Sequence, residues 1–305
     1  MVNILVTGSS GFIGLNVSNF LHQRGHNVCG IDVSKPPIGL NSGIKTLKKD
    51  LTTNPDLPEV EVIIHLAAHS QVQAVVDDPN RIVENIEMTT NVLEAAKQMG
   101  AFVLNVSSRD VYGNAIRPSE NEIELAPPNG YAASKVASEA ITRSYGQTHN
   151  VPYTSLRLSN VYGPMDVNAR VIPIFVALAD EGDTLSVFGE DKLVDFVHVS
   201  DISEIITDVV EQRAVANGEA FNIGSGNGTP LTKIAEFISK NVDSCQGWSV
   251  STNRDGDVTQ YVSDISKASA MLGFEPKTSI EDGLEETIEW YLDNQDCLRE
   301  VREQL

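Results

Sequence analysis

The chain has 305 residues, 41% hydrophobic and 21% charged, and its 42 acidic against 22 basic side chains give a formal charge of −20. Such a surface repels nucleic-acid phosphate, and no basic stripe offsets it, so a nucleic-acid partner is excluded. No apolar run approaches the ~20 residues that cross a bilayer, and three cysteines without a CxxC pair (Cys29, Cys245, Cys297) speak against a disulfide framework or a metal site. With no leader pattern at residues 1–6, a reducing, cytoplasmic compartment is expected and no membrane partner.

Residues 2–6 form a short Val- and Leu-rich run, and apolar residues at Phe12, Ile13, Val17, Phe20 and Leu21 then recur at helical spacing. A second strand is expected at 28–31, ending at Asp32, a weaker third at 44–47, and a fourth at 60–66 whose near-continuous apolar character suits burial on both faces. A long helix over 81–99, a strand at 102–106, a helix over 131–149 and a strand at 153–158 follow. Strands and helices alternating at this spacing predict an α/β fold, a Rossmann-type doubly wound parallel sheet. Beyond Tyr162 the rhythm loosens into a short helix, a strand-like 185–188, βαβ-like material at 196–199, 201–212 and 220–223, and helices near 231–241 and 280–294. The predicted division is a dinucleotide-binding domain of 1–160 plus 195–224, with a smaller interleaved cap of 161–194 plus 225–305. The charged last dozen residues are expected to fray.

Gly8, Gly11 and Gly14 lie in the segment that joins the first strand to the first helix. Gly8 suits a tight turn, Gly11 a close approach of backbone to a diphosphate, and Gly14 close packing of helix on sheet. The diphosphate would then meet the positive end of the helix. Asp32, 18 residues after Gly14, can accept hydrogen bonds from both adenosine ribose hydroxyls and would repel a 2′-phosphate, so NAD is preferred to NADP. Tyr131 and Lys135 stand four apart on a predicted helix and share a face. The ammonium is expected to lower the phenol's pKa and make it a base. Ser107 and Ser108 end the fifth strand, at the sheet edge where open α/β folds bind ligands. His65 and His198 read as strand residues with satisfied hydrogen bonds rather than ligands.

With these stand Asp50-Leu51, His65-Leu66-Ala67-Ala68, Ser107 to Gly113, Leu156 to Pro164, Asp195 to Val199, Phe221 to Gly226, Arg254 to Asp257 and Leu272 to Phe274. In that order, across nearly the whole chain, they resemble the extended short-chain dehydrogenase/reductases, the NAD-dependent nucleotide-sugar epimerase/dehydratase family. The resemblance implies a Ser108, Tyr131 and Lys135 triad. Tyr131 would take the proton of a sugar hydroxyl, Ser108 would hydrogen-bond the reacting oxygen, and Lys135 would hold the nicotinamide ribose. It implies that Gly8, Gly11, Phe12, Ile13, Gly14, Asp32, Asp50, Leu51, Leu66, Ala67, Ala68, Asn85, Val106, Tyr131, Lys135 and Leu158 line the cofactor site. Asn160, Arg170, Phe188 and Arg254 would meet the nucleotide sugar beside Ser108 and Tyr131. It also implies a homodimer paired through the helices over 81–99 and 131–149 as a four-helix bundle.

Dehydratases of this resemblance carry Asp-Glu directly after the active-site hydroxyl residue, as acid and base for elimination. This chain has Arg109 and Asp110 there, and an arginine cannot deliver a proton at pH 7. The expected reaction is therefore 4-epimerisation of a nucleotide sugar of the UDP-glucose/UDP-galactose type. A 4,6-dehydratase, a net dehydrogenase/reductase and a non-enzymatic NAD sensor or scaffold stay open as alternatives. Val194 stands where many relatives carry a diphosphate-gripping Arg, and Met88 where they carry Gly.

Overall fold

The computed structural model describes residues 1–37, 39–40, 43–121, 127–190, 192–252 and 260–305. In chain order the first half runs β1 (Asn3–Thr7), α1 (Phe12–Gln23), β2 (Asn27–Asp32), β3 (Lys45–Lys48), β4 (Val62–His65), α2 (Val72–Asp77), α3 (Asn80–Met99), β5 (Phe102–Ser108), α4 (Gly130–His149) and β6 (Tyr153–Leu158). The second half adds β7 (Asn160–Tyr162), α5 (Val171–Asp180), β8 (Leu185–Phe188), β9 (Leu193–His198), α6 (Val199–Glu211), α7 (Arg213–Ala216), β10 (Ala220–Ile223), β11 (Gly228–Pro230), α8 (Leu231–Asn241), β12 (Trp248–Ser251), β13 (Gln260–Tyr261), α9 (Ser266–Leu272), α10 (Ile280–Asp293) and α11 (Gln295–Arg302).

Seven strands form one sheet in the order β10-β6-β5-β4-β1-β2-β3, and every pairing in it is parallel. This is the Rossmann-type doubly wound sheet that the alternating elements predict. Both faces are covered, so the strands alternate between two cores. Ile4 and Val6 of β1 pack with α1 and α6 on one face, whereas Leu5 packs with α3 on the other. The chain winds from β1 through β2 to β3, then returns to β4 on the opposite side of β1. That reversal leaves a crevice beyond the carboxyl ends of β1 and β4.

Two findings differ from the sequence reading. The strand expected at 196–199 is β9, and it does not enter the seven-stranded sheet. It runs parallel to β7 and β13 and antiparallel to β11 in a second, smaller sheet. The strands that pair with β9 are two or three residues long, too brief for periodicity to mark. Finally, the last dozen residues do not fray: α11 buries Cys297, Leu298 and Val301, and Arg302 pairs with Asp180 and Glu181 of the α5 end. Charged letters at the terminus hid an apolar stripe of one helical face. A third core gathers Ile172, Phe175 and Val176 of α5, Leu185 and Val187 of β8, Ile234 and Ile238 of α8, and Leu284 and Ile288 of α10.

Asp195 of β9 ties this second region to the sheet edge. Its buried carboxylate accepts the backbone N–H groups of Ser225 (2.8 Å), Gly226 (3.2 Å) and Ser263 (2.9 Å), and the Ser225 hydroxyl at 2.6 Å. A side chain at Gly224 would reach within 2.6 Å of that carboxylate, so glycine is required there. Asp195→Ala should lower the unfolding free energy by about 3 kcal/mol, because three buried N–H groups lose a charged acceptor. Asp195→Asn should cost nearly as much, since its NH₂ would face N–H donors. A denaturant titration in which Asn matches the parent would contradict this account.

Candidate active site

The crevice at the sheet reversal is built first by glycine. Gly8 has φ +70°, and a Cβ there would lie 2.8 Å from the backbone N of Ala67, so the β1–α1 turn and the loop after β4 approach each other at van der Waals limits. A Cβ on Gly14 would stand 2.1 Å from Gly8 O, which locks the first turn of α1 against the loop. Gly11 is different. A Cβ there would meet only Gly8 O, at 3.4 Å. Packing within the protein therefore does not require glycine at 11, and the backbone there is left open. Gly11 caps α1 without a side chain, and Phe12 is buried beside half-buried Ile13.

Thr7 stitches the two loops together. Its hydroxyl accepts the N–H groups of Leu66 and Ala67 (3.2 Å each) and meets His65 Nδ1 at 2.9 Å. His65 Nε2 lies 3.2 Å from the Thr89 hydroxyl. Both ring nitrogens are thus satisfied, as expected, and burial with Lys135 nearby pushes the imidazole down to about 3, so it stays neutral. His198 is satisfied on one side only: Nδ1 meets Ser200 Oγ at 2.8 Å, while Nε2 is 3.8 Å from Glu286.

At the end of β2, Asp32 accepts Ser10 N–H and Ser34 N–H, one on each carboxylate oxygen, both at 2.9 Å. A carboxylate has about four acceptor positions, so two remain for ribose hydroxyls. Asp50 is exposed and holds Thr52 N and Oγ1 at 2.9 and 2.7 Å; those bonds lower its pKa. Leu51 beneath it is a core side chain, and so are Val106 and Leu158. Leu66, Ala67 and Ala68 are half-buried along the loop after β4. Asn85 is buried and does not present its amide to an open cleft. It accepts His69 N–H at 2.7 Å and donates to His69 O and Ser134 Oγ at 3.2 and 3.0 Å, which clamps that loop to α3 and α4.

The chemistry-bearing residues converge between β5 and α4. Asn129 caps α4 by accepting Ala132 N–H at 2.8 Å, and the helix then presents Tyr131 and Lys135 to the sheet. Ser108 neighbours Tyr131 and favours its phenolate, and its hydroxyl accepts Asp110 N–H at 3.2 Å at the start of the 3₁₀ turn Arg109–Tyr112. Lys135 Nζ is buried, donates to Val106 O at 2.8 Å, and lies 5.9 Å from the centre of the Tyr131 ring.

The expected electrostatics are corrected here. Tyr131 is pushed up to about 12, not down, because burial opposes the phenolate and the Asp110 carboxylate adds to it; Arg170 and the Ser108 side chain pull the other way without prevailing. The strained partner is Lys135, which burial lowers to about 8 against the pull of Glu139. In this interface desolvation outweighs the mutual attraction of a neighbouring base and acid.

Arg170 stands at the head of α5, 5.9 Å from the Phe12 ring centre and 3.7 Å from the buried carboxylate of Asp166, and its charge acts on Tyr131. It therefore joins the glycine loop to the tyrosine. Asn160 donates to Asp195 O at 3.2 Å, and Phe188 is half-buried in β8, which pairs with β12. Arg254 lies outside the described residues. Arg109 lies 5.2 Å from the Tyr261 ring centre and 3.5 Å from Asp110. Val194 packs on the cap core, and Met88 fills the core under α3. Sequence reasoning passed over Thr7, Glu139 and Arg157. A lone arginine inside the apolar run Tyr153–Leu158 was the available signal, because arginine is almost never buried unless paired.

The profile of the NAD dependent epimerase/dehydratase family matches residues 4–224. The chain belongs to that family. It is an enzyme of the epimerase/dehydratase group, and its cofactor is NAD. A dTDP-glucose 4,6-dehydratase of Xanthomonas campestris is 28% identical, with 99% of this chain and 96% of that protein covered. The low-salt glycan biosynthesis protein Agl12 of Haloferax volcanii is 31% identical over 95% of this chain and 99% of that one. Among solved structures, a UDP-glucuronic acid 4-epimerase of Bacillus cereus, in complex with UDP-glucuronic acid and NAD, superimposes with a TM-score of 0.87 at 27% identity, covering 96% and 99% of the two chains. No helix among the described residues is long and apolar enough to cross a membrane.

The buried ammonium has a testable cost. In the unfolded chain lysine titrates near 10.5 and here near 8, so below about 8 both states are charged and the fold bears the whole penalty. Between those values the unfolded state binds more protons, and stability rises with pH. Lys135→Met should therefore stabilise the cofactor-free protein at pH 7 by about 2 kcal/mol, net of the lost bond to Val106. The gain should vanish near pH 10.5; a loss of stability at pH 7 in a melting series would refute it.

Proposed function

We propose that the protein is a nucleotide-sugar 4-epimerase, acting on a UDP-glucose/UDP-galactose type of substrate. The observation that carries this reading is the convergence of Ser108, Tyr131 and Lys135 between β5 and α4, combined with Arg109 at the position after Ser108. Bound NAD supplies the hydride acceptor for oxidation of the sugar and the hydride donor for its reversal. Tyr131 would first give up its own phenol proton to solvent; as the phenolate it would accept the proton of the C4 hydroxyl while hydride leaves C4, and later return that proton to the same oxygen. Ser108, whose hydroxyl already accepts Asp110 N–H, aligns the reacting oxygen with the phenol. Because the phenol rests near 12 in the cofactor-free protein, loss of its own proton is the costly step, and positive charge brought beside it would ease that loss. Lys135 holds the nicotinamide ribose, Asp32 the adenosine ribose, and the open backbone at Gly11 the diphosphate. Asn160, Arg170, Phe188 and Arg254 serve the nucleotide sugar, with Arg170 covering the loss of a cation at Val194.

A second reading, 4,6-dehydration, is favoured by one observation: the Asp110 carboxylate acts on Tyr131 and could serve as a base. It lacks an acid, since Arg109 occupies the neighbouring position and retains its proton. We further propose the division into 1–160 plus 195–224 and 161–194 plus 225–305. The protein would reside in the cytoplasm, where its three cysteines, none of them in a disulfide, persist as thiols. It would dimerise through the outer faces of α3 and α4, where Val83 is 63% exposed. Light scattering that finds a monomer at micromolar concentration would contradict the dimer.

Incubation with UDP-glucose should yield UDP-galactose without net NADH; accumulating NADH or a 4-keto-6-deoxy sugar would overturn epimerisation. Tyr131→Phe should reduce turnover by about 10³-fold while NAD still binds. Gly11→Ala should leave the melting temperature within a degree or two of the parent but weaken NAD binding by about tenfold or more. Unchanged NAD affinity in that variant would remove Gly11 from the cofactor site.

A further inference from the structure

Helix α4 carries a third polar residue on the stripe that begins with Tyr131 and Lys135. Glu139 lies one turn beyond Lys135, is buried, and would be the lysine's natural ion-pair partner. It is taken instead by Arg157 of β6, the largest fully buried side chain among the described residues. Arg157 Nε donates to Glu139 Oε1 at 3.0 Å and Nη2 to Oε2 at 2.7 Å, a two-point grip that fixes the plane of the carboxylate. Lys135 is left to reach the opposite way, to Val106 O.

The far end of the same guanidinium holds the other half of the site. Nη1 donates to the Tyr112 hydroxyl and to Glu120 O, both at 2.7 Å. Tyr112 closes the 3₁₀ turn that starts beside Ser108, and its hydroxyl donates to Asn222 Oδ1 at 2.6 Å. Asn222 in turn donates to Pro118 O and Asp264 O at 3.0 and 3.1 Å. One buried cation thus links the helix of Tyr131 and Lys135 to the turn that carries Ser108.

We infer that Arg157 is a positioning residue of the reaction: by claiming Glu139 it directs Lys135 toward the cofactor side of the site, and through Tyr112 it sets Ser108 against Tyr131. This rests on the reading that Lys135 holds bound NAD. The titratable and charged groups around Lys135 are Tyr131 and Glu139 of its own helix and His65 of β4. Arg157 and Tyr112 stand behind Glu139, and α3 offers only the neutral Asn85 and Thr89. Without Arg157, Glu139 is free to pair with Lys135, which would hold its proton to higher pH and turn away from Val106.

The measurement is NAD affinity of the full chain between pH 6.5 and 10, followed by calorimetry, for the parent, Arg157→Met and Glu139→Gln. The pH at which affinity falls should rise by about one unit in R157M and fall in E139Q, since removal of the carboxylate leaves Lys135 less supported. With whichever nucleotide sugar the parent turns over, Arg157→Lys should keep KM within about threefold while kcat drops about tenfold or more, because lysine cannot make the fork. Tyr112→Phe, which cuts the link from Arg157 to the 3₁₀ turn together with the hydrogen bond to Asn222 and leaves Glu139 in the grip of Arg157, should lower kcat with an unmoved pH profile. Should R157M fail to fold, E139Q and Tyr112→Phe still decide. NAD-affinity profiles that superimpose on the parent, or a parental kcat in both R157K and Y112F, overturn the inference. Failure of the parent to convert UDP-glucose would refute the epimerase reading alone, because the NAD titration needs no sugar.

Discussion

Placing an ammonium and a phenol in a water-poor seam between a parallel sheet and a helix is the constraint from which the site's other features follow. Lys135 has no carboxylate of its own in contact, only the carbonyl of Val106 and a more distant aromatic face. Burial accordingly disfavours the charged form of both residues at once, lowering the lysine to about 8 and raising the tyrosine to about 12. The two displacements carry the groups apart in proton affinity, so in the cofactor-free protein Tyr131 keeps its proton and Lys135 is the readier of the two to release one. The desolvation that destabilises the empty fold is the same desolvation that strengthens hydrogen bonds to a bound ligand.

Such a seam cannot be apolar throughout, and its polar members are held to each other. Thr7, His65, Thr89 and Ser138 form one hydroxyl–imidazole chain from β1 to α4. Glu139, Arg157, Tyr112 and Asn222 form another toward the far edge of the sheet. The first anchors the loops on which NAD would rest, and the second anchors the turn that follows Ser108. A buried ion pair of this kind adds little net stability over an apolar pair of similar volume. Its retention here is explained by placement: each polar chain begins at one wall of the crevice and ends in the scaffold.

Much of the fold was legible because parallel strands, covered on both faces, write continuous apolar runs. Residues 153–158, 185–188, 220–223 and 231–241 match their elements at both ends. The glycine turn, Asp32 and the Tyr131–Lys135 spacing were legible for the same reason: each is a local pattern within about two helical turns or one βα unit. What escaped was non-local. The sequence holds no sign that Asn85 clamps a loop, that Val106 offers a carbonyl to Lys135, or that β9 leaves the main sheet, since each depends on elements distant in the chain. The sign of the Tyr131 shift was missed because spacing reports which charges are near, whereas burial reports how much water is lost. Only the folded seam reveals that the second quantity is larger.

A formal charge of −20 opposes the approach of an anionic dinucleotide such as NAD at long range, yet net charge is the wrong measure inside the crevice. At physiological ionic strength exposed charges farther than about 8 Å are largely screened. What a diphosphate meets is the local field, and here that field is set by few groups: the amino end of α1, Arg170 beside Phe12, and Lys135 below Tyr131. Arg170 is tethered loosely, 3.7 Å from Asp166 and 41% exposed at its side chain, so its guanidinium keeps donors for a ligand. Arg109 is committed to Tyr261 and Asp110 instead. The acidic exterior repels long polyanions that must lie along a surface, whereas a small anion that enters the crevice exchanges that distant repulsion for short-range contacts in a lower dielectric. The charge that excludes nucleic acid is for this reason compatible with a nucleotide-sized ligand.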